Sequence, residues 1–137
     1  MGQQQLLLII LGVIIVGIAV AVGITMFQDN AESANRDAVT NDLVQLAAKS
    51  QQYFRKPTSL GGGGNSFVGL SADAAGILKL VSTHFSTNDN GVYTISTAGT
   101  ATTLVLTGVG STTLAAGGKP TVTCTVTATG YTMAVVN

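Results

Sequence analysis

From Leu6 to Phe27 the chain reads LLLIILGVIIVGIAVAVGITMF, with no charged residue anywhere in it. As a helix rising 1.5 Å per residue, this run covers about 33 Å, the thickness of a bilayer's hydrocarbon layer. Charges begin at Asp29, and no Gly or Pro interrupts the chain from there to Lys56. In that second stretch Val39, Leu43, Leu46, Ala47, Ser50 and Phe54 recur at i, i+4, i+7, i+8, i+11 and i+15, which places them on one helical face. The pattern predicts one continuous helix of about fifty residues, roughly 75 Å long, apolar all round in its first half and on one side in its second.

Pro57 ends the helical pattern, and the run from Thr58 to Ser66, with glycine at 61, 62, 63 and 64, is a connector by composition. Ser71 to Val81 predicts a short helix with Ser71 as its N-cap, weakened by Gly76. After His84 the period changes to two, with threonine and valine prominent. Strands are expected at Gly91–Thr97, Thr102–Thr107, Thr121–Ala128 and Tyr131–Val136, with a polar loop from Gly108 to Pro120. Val122, Cys124 and Val126 alternate with Thr121, Thr123, Thr125 and Thr127, so one sheet face is buried and the other wet. The expected fold is α+β: a long N-terminal helix packed through Val39, Leu43, Leu46, Ala47 and Phe54 on an antiparallel sheet of about four strands. Its parts are an apolar half-helix (1–28), an amphipathic half-helix (29–56), a glycine-rich connector (57–82) and a sheet head (83–137).

Composition narrows the function classes. Charged residues make up 9% of the 137, against roughly 25% in ordinary soluble domains, and six Lys and Arg balance six Asp and Glu. No basic stripe for a phosphate backbone is visible, so nucleic-acid binding is not expected. Cys124 is the single cysteine and His84 the single histidine. Neither has ligand-spaced neighbours, so Cys124 is expected as a small buried strand residue and His84 as a surface or packed side chain. Asp29, Glu32, Asp37 and Asp42 read as a solvated helix face. Arg55 and Lys56 complement the C-terminal end of the helix dipole, with a partner contact as the alternative role. The glycine run lacks the spacing of a phosphate-binding loop, and no nucleophile elbow is present. No enzyme activity, cofactor or metal is expected.

The apolar segment does not have the form of a typical secretory signal: MGQQQ carries no positively charged side chain, and no A-x-A-like site is obvious near the end of the apolar run. The expectation is a retained segment. Gly17 with Ala21, and Ala19 with Gly23, form small-xxx-small pairs that permit close helix approach, although such glycines are also ordinary in membrane spans.

A short polar start, an apolar half-helix, an amphipathic half-helix, a glycine-rich connector and a C-terminal sheet together resemble a type IV pilin over the whole chain. In that family the mature chain begins with an N-methylated hydrophobic residue and carries glutamate at its fifth position. Here Met1 and Gln5 occupy those places, with LLLIILGV following. Gln5 retains hydrogen-bonding capacity toward a neighbour's N-terminal amine but not a full ion pair. If instead Met1-Gly2 is a leader, the mature chain begins at Gln3 and Leu7 takes the fifth place. The apolar half has no proline, there is no cysteine pair, and no basic leader precedes the start. Gly12, Gly17 and Gly23 are the candidates for loosening the helix in place of proline.

The resemblance implies a structural role: a filament subunit held in the inner membrane, extracted by assembly machinery, and polymerised with identical copies into an extracellular filament. Met1, Gln5, Leu6, Leu7, Leu8, Ile9, Ile10, Leu11, Val13, Ile14, Ile15, Ile18, Val20, Val22, Ile24 and Phe27 are the expected assembly residues. Burying them from water is worth on the order of tens of kcal/mol, but lipid already hides that surface, so the net gain must come from packing. A pilus is favoured over a secretion pseudopilus because no calcium-binding acidic cluster is apparent. The alternative is a single-span membrane-anchored β domain that acts as a binding module.

Overall fold

The computed structural model describes residues 2–137; Met1, one of the expected assembly residues, lies outside the described residues. Helix α1 runs without a break from Gly2 to Arg55, and its 54 residues rise roughly 81 Å. Its second half buries Val39, Asp42, Leu43, Leu46, Ala47 and Ser50. Apart from Asp42, these belong to the stripe read from the sequence, and the Ser50 hydroxyl is satisfied by donating to the Leu46 carbonyl at 2.8 Å.

Beyond Arg55 the chain passes through a 3-10 turn, Thr58–Leu60, and folds back on the end of α1. The amides of Gly63, Gly64 and Asn65 donate to the carbonyls of Tyr53, Lys56 and Phe54 at 2.9, 2.9 and 2.7 Å. A helix end leaves its last carbonyls without helical partners, and the glycine run supplies them. A side chain on Gly63 would meet the Tyr53 ring at 2.9 Å, so the close return of the backbone requires glycine there. The connector is thus an ordered cap.

Helix α2, Ala74–Leu78, is shorter than the expected 71–81, and its N-cap is Asp73 rather than Ser71. Asp73 accepts from the Gly76 amide at 2.8 Å while Ser71 donates its hydroxyl to Asp73 at 2.6 Å. The carboxylate, three residues before that amide, outcompetes the hydroxyl for the cap. A one-turn helix α3, Thr83–Ser86, follows.

The described residues contain five strands, β1 (Thr87–Asn88), β2 (Gly91–Thr97), β3 (Thr103–Gly110), β4 (Thr121–Thr127) and β5 (Tyr131–Val135). They form one antiparallel meander in chain order. The strand beyond the expected four, β1, is two residues long, too short to show any period. β3 extends past Thr107 because Gly91 pairs with Gly110, so the polar loop begins only at Ser111. Register slips between Ile95 and Thr97, leaving Ser96 as a bulge.

On the inner face Tyr93, Ile95, Leu104, Leu106, Val122, Cys124 and Val126 are buried against Val39, Leu43, Leu46 and Ala47. Phe67, Leu70 and Ile77 close the core from the connector and α2. Leu43 and Leu46 are 0% exposed, and truncating either to alanine is expected to cost about 2–5 kcal/mol. α1 crosses β3 at Gly108, where an added Cβ would lie 2.7 Å from the Val39 side chain. The opposite sheet face carries threonine rows, with Thr94 paired to Thr107 and Thr107 to Thr123. In β3 and β4 the wet and buried faces fall as the period-two pattern required, whereas β5 at the sheet edge has no buried residue and only Met133 is half-buried.

Candidate functional site

The structure divides α1 into a half that belongs to the head and a half that touches nothing. Every large apolar residue from Leu6 to Phe27, including all the expected assembly residues there, is 51–79% exposed. They point in all directions around the helix, so no single face is left for water. Among the described residues this is one helix long and apolar enough to cross a membrane. Gln5 lies near its start and is exposed. Side chains placed on Gly12, Gly17 or Gly23 would meet nothing within 4 Å, and the backbone is helical through all three. Just beyond Gly23, Thr25 turns its hydroxyl back to the Val22 carbonyl at 2.8 Å.

The second half is fixed to the head by apolar packing and by a set of polar clamps. Phe54, half-buried, packs its ring against Phe67 with centroids 4.8 Å apart. Asn35 donates to the Asn90 carbonyl at 2.8 Å, and Glu32 accepts from the Ala115 amide. At the far edge, Gln51 reaches the Thr127 and Gly130 carbonyls at 3.3 and 3.2 Å. Helix α1 is therefore held from Glu32 to Phe54, while everything before it projects free of the head.

Asp42 corrects the reading of the acidic residues as a solvated face. It is 9% exposed and its Oδ2 accepts three hydrogen bonds, from Tyr93 Oη at 2.6 Å and from the side-chain amides of Asn88 and Asn90 at 3.0 Å each. Asn88 is itself oriented by accepting from the amides of Asn90 and Gly91 at 2.9 and 3.2 Å. Burial alone would raise the Asp42 pKa, but the donors Asn90, Tyr93 and Asn88 favour the carboxylate and leave it below the usual value. Burial, together with the adjacent carboxylate, drives the Tyr93 phenol upward. The cluster ties α1 to the β1–β2 turn with an ionised group that has no cation partner in it. The one available signal was position, since Asp42 immediately precedes Leu43 in the buried stripe.

His84 sits exposed on α3, and Cys124 is fully buried on β4, its thiol pushed up to about 11 by burial. Among the described residues no group of three or more His, Cys, Asp or Glu is gathered as a metal site would require. Comparison with protein-family models, with curated proteins and with solved structures finds no match. The chain is an α+β protein with a long apolar N-terminal helix packed on an antiparallel sheet, an arrangement compatible with a pilin-like fold or with a membrane-anchored head.

Proposed function

We propose that this chain is the structural subunit of a type IV pilus-like filament that polymerises through the first half of α1. The observation that carries the reading is the continuity of α1: the helix whose exposed half is apolar on every side is the same helix whose other half forms the core of the head. A simple tether needs no rigid connection to the domain it anchors. A filament subunit does, because the packing of apolar half-helices must set the position of each head. Small residues at Gly17, Ala21 and Gly23 suit close helix packing, and Gln5 offers a hydrogen-bonding group at the start of an otherwise apolar surface.

In this reading the segment from Leu6 to Phe27 rests in the inner membrane before assembly and in the filament core afterwards. Identical subunits and a membrane-bound assembly apparatus are its partners, and the threonine-rich sheet face lies on the outside of an extracellular filament. The role is structural, without catalysis, cofactor or nucleic-acid binding.

Shearing cells, pelleting the released filaments and sequencing the main protein band tests the proposal. The chain is expected as the major sheared component, with its N-terminal residue and any methyl group read from the same mass spectrum. Finding all of it in the membrane fraction and none in sheared material would overturn the filament and assign the chain to a single-span anchored domain.

A further inference from the structure

The chain is neutral overall, but its charges are partly sorted by position, with Arg36 the one cation within the acidic stretch 29–42, where it donates to the Asn137 carbonyl at 2.9 Å. Of its six Lys and Arg, four (Lys49, Arg55, Lys56 and Lys79) line one open cleft of about 530 Å³ where the end of α1 meets α2 and the glycine cap. No carboxylate is among the residues lining that cleft. Lys79 is steadied there by donating to the Gly69 carbonyl at 2.6 Å. Asp73 caps α2 and lies near enough to Lys79 for the two charges to attract, so part of the Lys79 charge is offset there. Of the other five acidic residues, four occupy 29–42 of the same helix and the fifth, Asp89, is in the β1–β2 turn. Asp29, Asp37 and Asp89 are exposed.

We infer that the cleft receives the acidic stretch around Asp29 of a second copy of this chain, displaced along the filament axis; the inference rests on the filament reading above. Helical geometry supports it in two ways. Asp29 precedes Lys49 and Lys56 by 20 and 27 residues, which separates the two charge centres by roughly 30–40 Å along the axis. At 100° per residue the same intervals turn Asp29 about 180–200° away from those lysines and Asp37 about 100–120° away, so Asp29 stands on the opposite side of α1 with Asp37 turned partly toward that side. Two different patches on opposite sides of one subunit make a heterologous contact, and such contacts propagate into open helical polymers rather than closed dimers. A copy shifted away from the membrane brings its Asp29 side against the Lys49–Lys56 side of the copy below. In the membrane all copies sit at one depth and the contact cannot form, so it becomes available only on extraction.

Shear yield from cells making the full chain tests this. Lys49→Glu with Lys56→Glu, and separately Asp29→Lys with Asp37→Lys, are each expected to lower the yield about tenfold, since attraction becomes repulsion at every repeat, while membrane levels stay unchanged. Combining all four substitutions exchanges the two patches and is expected to restore filaments. Filaments indifferent to both reversals would overturn the contact and leave the filament reading standing. Failure of the fourfold exchange to recover what each reversal lost would also overturn it, and would assign the cleft to another anion, such as a phosphorylated polymer. Absence of the wild-type chain from sheared material would remove the filament reading and this contact with it.

Discussion

Tyr93 Oη donates to Asp42 Oδ2 at 2.6 Å across 51 positions of sequence, and both groups are buried. This bond ties the long helix to the sheet, because Asp42 lies on α1 and Tyr93 on β2. Tyr93→Phe removes one of three donors to a buried carboxylate and is expected to destabilise the head by about 1–3 kcal/mol. Asp42→Ala strands all three donors and is expected to cost at least as much. Thermal melting of the full chain in detergent, followed by near-ultraviolet circular dichroism, reads both; an unchanged melting temperature in Asp42→Ala would refute the clamp.

The same carboxylate sets an acid limit. Because the folded pKa of Asp42 is below its unfolded value near 3.8, its contribution to stability is fully present above that value. That contribution is lost as the pH falls through the folded pKa. Asp73, whose carboxyl is held low by Ser71 and by the Gly76 amide, acts in the same direction. The melting temperature of the head is therefore expected to be flat from neutrality to about pH 4 and to drop below it. Asp42→Asn should start lower and fall less; a parallel drop in wild type and variant would show that Asp42 does not titrate with folding.

Gly108 and Gly17 make a contrasting pair. A methyl group at 108 would meet Val39 at 2.7 Å and the Tyr93 ring at 3.0 Å, whereas one at 17 meets nothing. Gly108→Ala forces the helix off the sheet and is expected to cost about 1–3 kcal/mol of head stability. Gly17→Leu should melt like wild type yet lower the shear yield of filaments, since bulk at that position keeps neighbouring helices apart. Equal melting temperatures for Gly108→Ala and wild type would mean that helix and sheet have room to separate there.

Cys124 provides a reporter. It is 0% exposed and its thiol is pushed up to about 11, so almost no thiolate is present at pH 8. Labelling by an alkylating reagent is expected to be negligible in the native protein and complete in denaturant, with a rate that tracks opening of the head. Rapid labelling under native conditions would contradict the packing of β4 beneath α1.

What the sequence determined by itself is what depends on near neighbours. An uncharged run of helix-compatible residues has one way to satisfy its backbone away from water, so the apolar half of α1 was legible. The stripe from Val39 to Ala47 and the alternation of Val122, Cys124 and Val126 were legible because a helix face and a strand face follow from period alone. The tertiary structure decided the rest. Asp42 belongs to the same acidic series as Asp37 in the sequence, and is buried only because Asn88, Asn90 and Tyr93, some fifty residues away, offer donors that stabilise its charge. The two residues of β1 pair only because the turn to β2 holds them, and Gly63, Gly64 and Asn65 cap the end of α1 only where the chain doubles back. Lys79 joins Lys49, Arg55 and Lys56 because α2 returns to the end of the helix. Charges far apart in the chain carry no period that marks them as neighbours, so the cationic cleft in a neutral protein emerges only on folding.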